Sequence, residues 1–325
     1  MPGNEAEHGT TAAPDNTTLS AEVSSVVPES SATADKASEK IETTDAKEKV
    51  KEGQKEADSP IQALWADVQA QQYKEVWGVT LADPSTHVSS QIILQKYLNA
   101  NDQDLAKAKV QLTSTLEWRA KNKPSDLTKK KYSSDKFAGL GYITSYSAEG
   151  AAPDSKAVFT WNIYGGVKDI QKSFGDLDAF IDWRVALMEM AMQELNLSSA
   201  TEPITADNDP YKIYQVHDYK GVSFLRSPPA VRNAAKKTVE VLSMAYPETL
   251  KEKFFINVPA IMGFMYGVMK LFVAPKTIKK FHPMSNGALL VHEFGDTAGL
   301  GGQLPKEYGG RGDELSTVGK QPLLE

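Results

Sequence analysis

The stretch YQVHDYKGVSF, Tyr214 to Phe224, holds the residues best suited to chemistry: His217 and Tyr219, two positions apart. Successive side chains on a strand point to opposite faces, so the imidazole and the phenol share one side while Val216 and Asp218 share the other. The chain has no cysteine. Disulfides, thiolate nucleophiles, zinc–thiolate sites and iron–sulfur clusters are thereby excluded together, and a metal ligand must be His, Asp, Glu or Tyr. Two readings of the pair stand open: a satisfied core pair bonded to backbone, or a pair facing a ligand from the floor of a cavity.

The elements that must position the pair lie in the later part of a 325-residue chain of net charge −6 and 41% hydrophobic content. From Met1 to about Pro60 the sequence has no aromatic residue and few large apolar ones. Such a composition cannot offset its ordering entropy, so residues 1–60 read as a disordered acidic tail and roughly 260 residues remain to fold. The acidic balance lacks the basic footprint of a duplex-DNA binder. The start of the chain has neither a basic, apolar signal region nor a transit-peptide pattern, which points to the cytosol. The glycosylation-type matches at Asn16 and Asn196 then carry no weight.

Folded structure is expected to begin near IQALWADVQAQQYKEVWGVTL, with an imperfect helical periodicity, followed by the helical pair QIILQKYL and DLAKAKVQLTSTLEWRAKNKP. These form a helical subdomain over 61–130. From Phe137 the pattern becomes strand-like in GLGYITSYS and AVFTWNIYGG, then alternates: a long helix in DLDAFIDWRVALMEMAMQEL, the YQVHDYKGVSF strand, a helix in AVRNAAKKTVEVLSMAYPETL, and the KFFINVP strand. That order predicts an α/β fold with a largely parallel sheet. FFINVPAIMGFMYGVMKLFVAP is long enough to span a bilayer, yet Asn257, Pro259 and Lys270 interrupt it and a strand–Pro–helix division accounts for its length. The helix from Ala260 to Val273 is apolar nearly all round, which suits either core or the cover of an apolar cavity.

Enzyme signatures are missing: G-x-S-x-G, the P-loop and H-E-x-x-H do not occur, GLGYI lacks a third glycine, and GGVKD is not a phosphate loop. His292 and Glu293 in VHEFG form an isolated pair expected at a strand end. RGDE, from Arg311, opens a polar segment expected to be a flexible tail over 311–325.

Four stretches, LEWR (Leu116 to Arg119), MAYPETLKEKFFINVP, APKTIKKF and LPKEYGG (Leu304 to Gly310), together resemble the CRAL-TRIO family of SEC-fourteen-like phosphatidylinositol transfer proteins. VHDYKGVS and WRVALME sharpen the resemblance to its fungal non-classical, fifth-homologue branch, whose members bind phosphatidylinositol and haem. Where the family writes F-L-R-A-R-K-F, this chain has YLNANDQ, Tyr97 to Gln103, so roles of those basic residues do not carry over. The resemblance implies an N-terminal helical subdomain, then a mixed, largely parallel sheet over 131–310 that floors a hydrophobic pocket, with the helix after Pro259 as a mobile gate.

For the opening pair the resemblance implies ferric haem b, with Tyr219 as axial ligand and His217 beside the macrocycle or near the iron. A free phenol with a pKa of about 10 is a poor ligand, but a hard ferric cation stabilises the phenolate. Arg184 and Lys253 match positions for the propionates, and Tyr164 matches a haem-contacting position. Without a ligand, the two cations read as solvated helix and strand ends. The lipid headgroup is assigned to Glu248, Thr277 and Lys280: a cation for the phosphodiester, a hydroxyl and a carboxylate for the sugar hydroxyls. The branch further implies a non-enzymatic role in phosphoinositide homeostasis and the response to oxidants, and transient, peripheral association with endoplasmic reticulum membranes. A homodimer through the gate is open. Alternatives are a pure phosphatidylinositol exchanger with a structural His217–Tyr219 pair, and a haem-dependent peroxidase.

Overall fold

The structure is a computed structural model that describes residues 59–147, 156–223, 228–259, 278–295 and 299–325. The acidic stretch up to residue 58, the apolar helix expected from Ala260 to Val273, and Thr277 lie outside the described residues. Helix α1 (Pro60–Gln69) starts where Ser59 caps Gln62 and proline occupies the first turn, where its missing N–H costs nothing. The periodicity after it is imperfect because the chain leaves the helix. A hairpin follows, β1 (Glu75–Val76) and β2 (Val79–Thr80), turning through Trp77 and Gly78, both at positive φ as such two-residue turns require. The segment expected to be helical therefore includes a small sheet.

Helices α2 (Val88–Ala100) and α3 (Leu105–Asn122) match the expected pair. Asp104 caps α3, which stops at Lys123 in the left-handed conformation before Pro124. The main sheet has five strands in the order β3 (Gly141–Ser147), β4 (Lys156–Ile163), β5 (Ile213–Asp218), β6 (Leu250–Ile256) and β7 (Phe281–Met284). β3 is antiparallel to β4 and every other pairing is parallel. Helix α4 (Leu177–Glu194) connects β4 to β5, and α5 (Pro229–Ala245) connects β5 to β6. The sheet is thus mixed and largely parallel.

One face of the sheet meets α4 and the N-terminal helices, with Ile143, Val158, Ile213, Leu187 and Met188 in a shared core. Gly141 permits the close approach: a Cβ there would stand 2.8 Å from the Trp183 ring of α4. The other face buries Phe159, Trp161, Val216, Phe254 and Ile256 against Leu290, Leu304 and Tyr308. VHEFG belongs to a 3-10 helix (Gly287–Phe294) on that second face, which corrects the expected strand end. The flexible tail expected over 311–325 is also corrected. Lys320 exchanges two backbone hydrogen bonds with Ile143 on the open edge of β3, and Glu325 pairs with Tyr132 and Ser134. An edge strand offers unpaired backbone groups, and this segment takes them.

Candidate functional site

Register places the candidate residues on the sheet face that meets α4. Asn162, His217 and Phe255 form one row across β4, β5 and β6, and Thr160, Gln215, Lys253 and Phe281 form the next. Tyr219 lies one residue beyond β5, but its N–H still donates to the Ile256 carbonyl at 3.0 Å, so the strand continues in register. Tyr164, in the 3-10 turn after β4, lies against both members of the pair, with ring centroids 5.6 Å from His217 and 4.9 Å from Tyr219. The alternation read from the sequence therefore holds: His217 and Tyr219 face the same side.

Among the described residues, the His217 ring bonds to side chains and not to backbone. Its Nδ1 lies 3.0 Å from the Tyr164 hydroxyl and its Nε2 3.5 Å from Gln215 Oε1. Burial raises the pKa of Tyr164, so its phenol keeps the proton and donates it, leaving Nδ1 as acceptor and Nε2–H facing the Gln215 carbonyl. Burial, then the nearby Lys253 and Arg184, hold the imidazole pKa well below its usual value, and the ring is neutral. Tyr219 is pushed well above the ordinary phenol range by burial and by Tyr164. Only a strong cation would make it a phenolate.

Two cations lie close to this row, Arg184 on α4 and Lys253 in the adjacent row. Arg184 of α4 is buried and donates from Nη1 to Asn162 Oδ1, while the Asn162 amide donates to the Val216 carbonyl at 3.1 Å. Lys253, in the middle of β6, is half-buried, with Nζ 5.3 Å from the Phe255 ring centre and 5.8 Å from that of Phe281. Burial and the Arg184 charge draw its pKa down to about 8. Neither is a solvated helix or strand end. Among the described residues no carboxylate pairs with either, so two cations share an aromatic floor and an anion is what would satisfy them.

The opposite face braces the same strand. Asp218 accepts from Tyr308 Oη at 3.1 Å, Asn257 Nδ2 at 2.7 Å and its own loop at Lys220 N, and Asn257 in turn accepts from Gly287 N at 2.8 Å. Tyr308 comes from LPKEYGG and Asn257 from INVP, so those motifs fix the far side of the strand that presents the pair. In LEWR, Arg119 is fully buried between Glu189 at 2.7 Å and Glu75 at 2.8 Å, and Tyr246 of MAYPE donates to Glu189 at 2.6 Å. Among the described residues no group of three or more His, Asp and Glu is arranged to hold a metal ion. A haem needs only one axial protein ligand.

The headgroup residues gather elsewhere. Glu248 and Lys280 meet at the start of β6, Oε2 to Nζ 3.8 Å, both side chains about 30% exposed. Lys280 also donates to the Leu250 carbonyl at 3.1 Å. From Leu250 to Phe255 the strand rises about 17 Å at its usual ~3.3 Å per residue. The headgroup pair thus sits at the start of β6 and Phe255 near its end, with Lys253 between them, its N–H donating to the Lys280 carbonyl at 2.7 Å. Asn162 and Gln215 belong to the floor as well, although the sequence reading passed over them. Extending the two-residue alternation from Tyr219 back to Gln215, and from Tyr164 back to Asn162, would have found both.

Residues 159–310 match the family model described as CRAL/TRIO domain, a span that holds almost all of the floor. Over 272 residues the chain is 53% identical to the Neurospora crassa protein named phosphatidylinositol transfer protein sfh-5, covering 82% of this chain and 75% of that one. The chain belongs to the CRAL/TRIO family. A second relative, from Chaetomium globosum and named phosphatidylinositol transfer protein SFH5, is 64% identical over 270 residues, covering 82% of this chain and 62% of its own length. The chain thus spans less than two thirds of that relative. A solved structure described as the crystal structure of Sfh5 shares the CRAL/TRIO fold with a TM-score of 0.64 at 26% identity, over 81% of this chain and 90% of that one. The expected family and fold hold. Among the described residues no helix is long and apolar enough to cross a membrane.

Proposed function

We propose that this chain binds and transfers phosphatidylinositol, the activity its relatives' names give to those proteins, and that it also carries ferric haem b through Tyr219. The observation that carries the haem reading is the unpaired cation couple. Arg184 and Lys253 flank a floor of His217, Tyr219, Tyr164 and Phe255 with no carboxylate among the described residues to neutralise them. A flat apolar ring with two carboxylates, able to bond a phenol oxygen at its centre, fits that donor set. When bound, ferric haem supplies a hard cation that stabilises the Tyr219 phenolate. His217 is a neighbour rather than the ligand, because Tyr164 occupies its Nδ1 and Gln215 faces its Nε2.

The lipid reading rests on a separate pair. Lys280 meets the phosphodiester and Glu248 a sugar hydroxyl, with Thr277 as the third expected contact. The test is an absorbance titration with ferric haem, run beside phosphatidylinositol transfer between vesicles. A Soret band that is lost in Tyr219→Phe while transfer persists supports both functions. An unchanged band in Tyr219→Phe contradicts the tyrosinate assignment. Transfer without any haem binding favours a pure exchanger whose His217–Tyr219 pair serves packing.

A further inference from the structure

The stretch QIILQKYL places a lysine inside a run of buried apolar residues, and neither site above uses it. Lys96 is fully buried in α2 among Ile92, Ile93 and Tyr97. Each proton of its ammonium group has an acceptor: Asp209 Oδ2 at 2.6 Å, the Tyr211 carbonyl at 3.0 Å and the Glu248 carbonyl at 3.0 Å. Burial draws its pKa down to about 8 against the pull of Asp209, and it remains charged at neutral pH. A lysine so completely committed ties an N-terminal helix to two loops that lie far from it in sequence.

One of those loops is the Tyr-Pro-Glu turn. Glu248 has a φ of 52°, a left-handed conformation that an L residue with a side chain holds only where the surroundings impose it. Those surroundings are now identifiable. Lys96 holds the Glu248 carbonyl, the Thr249 hydroxyl donates to the Tyr246 carbonyl at 2.8 Å, and the Tyr246 phenol is anchored on Glu189. The turn delivers the Glu248 carboxylate to within 3.8 Å of Lys280 Nζ, a looser approach than a direct hydrogen bond.

We propose that Lys96 is a positioning residue for the headgroup site: from within the helical subdomain it fixes the backbone of Glu248, and so the placement of its carboxylate beside Lys280. Lys96 touches no lipid in this scheme. The inference rests on the reading of Glu248 and Lys280 as the headgroup contacts.

The test is a mutant cycle read by phosphatidylinositol transfer from phosphatidylcholine vesicles that carry a minor fraction of labelled phosphatidylinositol. Lys96→Met keeps the apolar stem but leaves the buried Asp209 with Lys212, at 3.3 Å, as its remaining cation, so Lys96→Met/Asp209→Asn is made as well, to remove that charge. Glu248→Ala is expected to slow transfer by about tenfold, on the scale of one charge-assisted hydrogen bond, and Lys96→Met/Asp209→Asn by about as much. Combining all three substitutions is expected to bring no further loss, because Lys96 acts through Glu248. Losses that multiply in full would mean that Lys96 is merely structural and would overturn the proposal, as would wild-type transfer by the Lys96 variants. Wild-type transfer by Glu248→Ala overturns the headgroup reading itself, and the inference with it.

Discussion

Two buried arginines in this molecule are handled in opposite ways. Arg119 is enclosed by Glu75, Glu189 and the Ser125 hydroxyl, so its guanidinium is neutralised by the chain's own carboxylates. Arg184 is buried too, but its partner is the neutral side chain of Asn162, and the nearby charge is a second cation, Lys253, rather than an anion. The first arrangement is complete within the protein and joins the helical subdomain to α4. The second is incomplete within the described residues. Desolvating a cation without a counter-charge costs free energy, and the proposed function assigns the missing counter-charge to a bound anion.

Breaking the first arrangement should have the largest effect on stability. Arg119→Met leaves Glu189 buried, and Glu75 half-buried, without their cation and is expected to cost about 3–5 kcal/mol, measured by denaturant unfolding. Asp218→Ala is an intermediate case. This carboxylate is satisfied by Tyr308, Asn257 and a backbone N–H rather than by a cation, and its removal strands those donors at a cost of about 1–3 kcal/mol. Arg184→Met should change the stability of the ligand-free protein by less than about 1 kcal/mol, since it removes an uncompensated charge along with one hydrogen bond. Its affinity for an anionic ligand should nevertheless fall. A loss of stability equal to that of Arg119→Met would erase the distinction.

The comparison also has a pH signature. The folded-state pKa of Lys253 is depressed from 10.5 to about 8, so between those values the unfolded chain holds a proton that the folded chain has released. The Lys253 contribution to ligand-free stability therefore rises as pH climbs through that window. Anion affinity runs the other way, falling as pH passes about 8 and the ammonium is lost. Titrating wild type and Lys253→Met side by side should show the alkaline loss of affinity in the first and not in the second.

Much of the site was legible because strand alternation is a strict rule. His217 and Tyr219 face one way and Asp218 the other, and the lone tyrosine of WNIYGG closes on the pair. The order of strands and helices likewise declared a largely parallel sheet. What stayed hidden depends on contacts between distant segments. Nothing near Lys96 signals that its charge is spent on Asp209 and Glu248, more than a hundred residues away. The segment after Arg311 has the composition of a loop, yet the unpaired edge of β3 gives it backbone partners. The turn at Trp77 and Gly78 was masked because the apolar residues around it also suit a helix.

The most direct test of the central claim compares ferric haem with its dimethyl ester, in which both propionates are neutral. If Arg184 and Lys253 await carboxylates, wild type should bind the ester about tenfold or more weakly, on the scale of one charge-assisted pair. Arg184→Met/Lys253→Met should bind the two forms alike. Equal binding of acid and ester by wild type would contradict the account and leave the two cations without the role assigned to them.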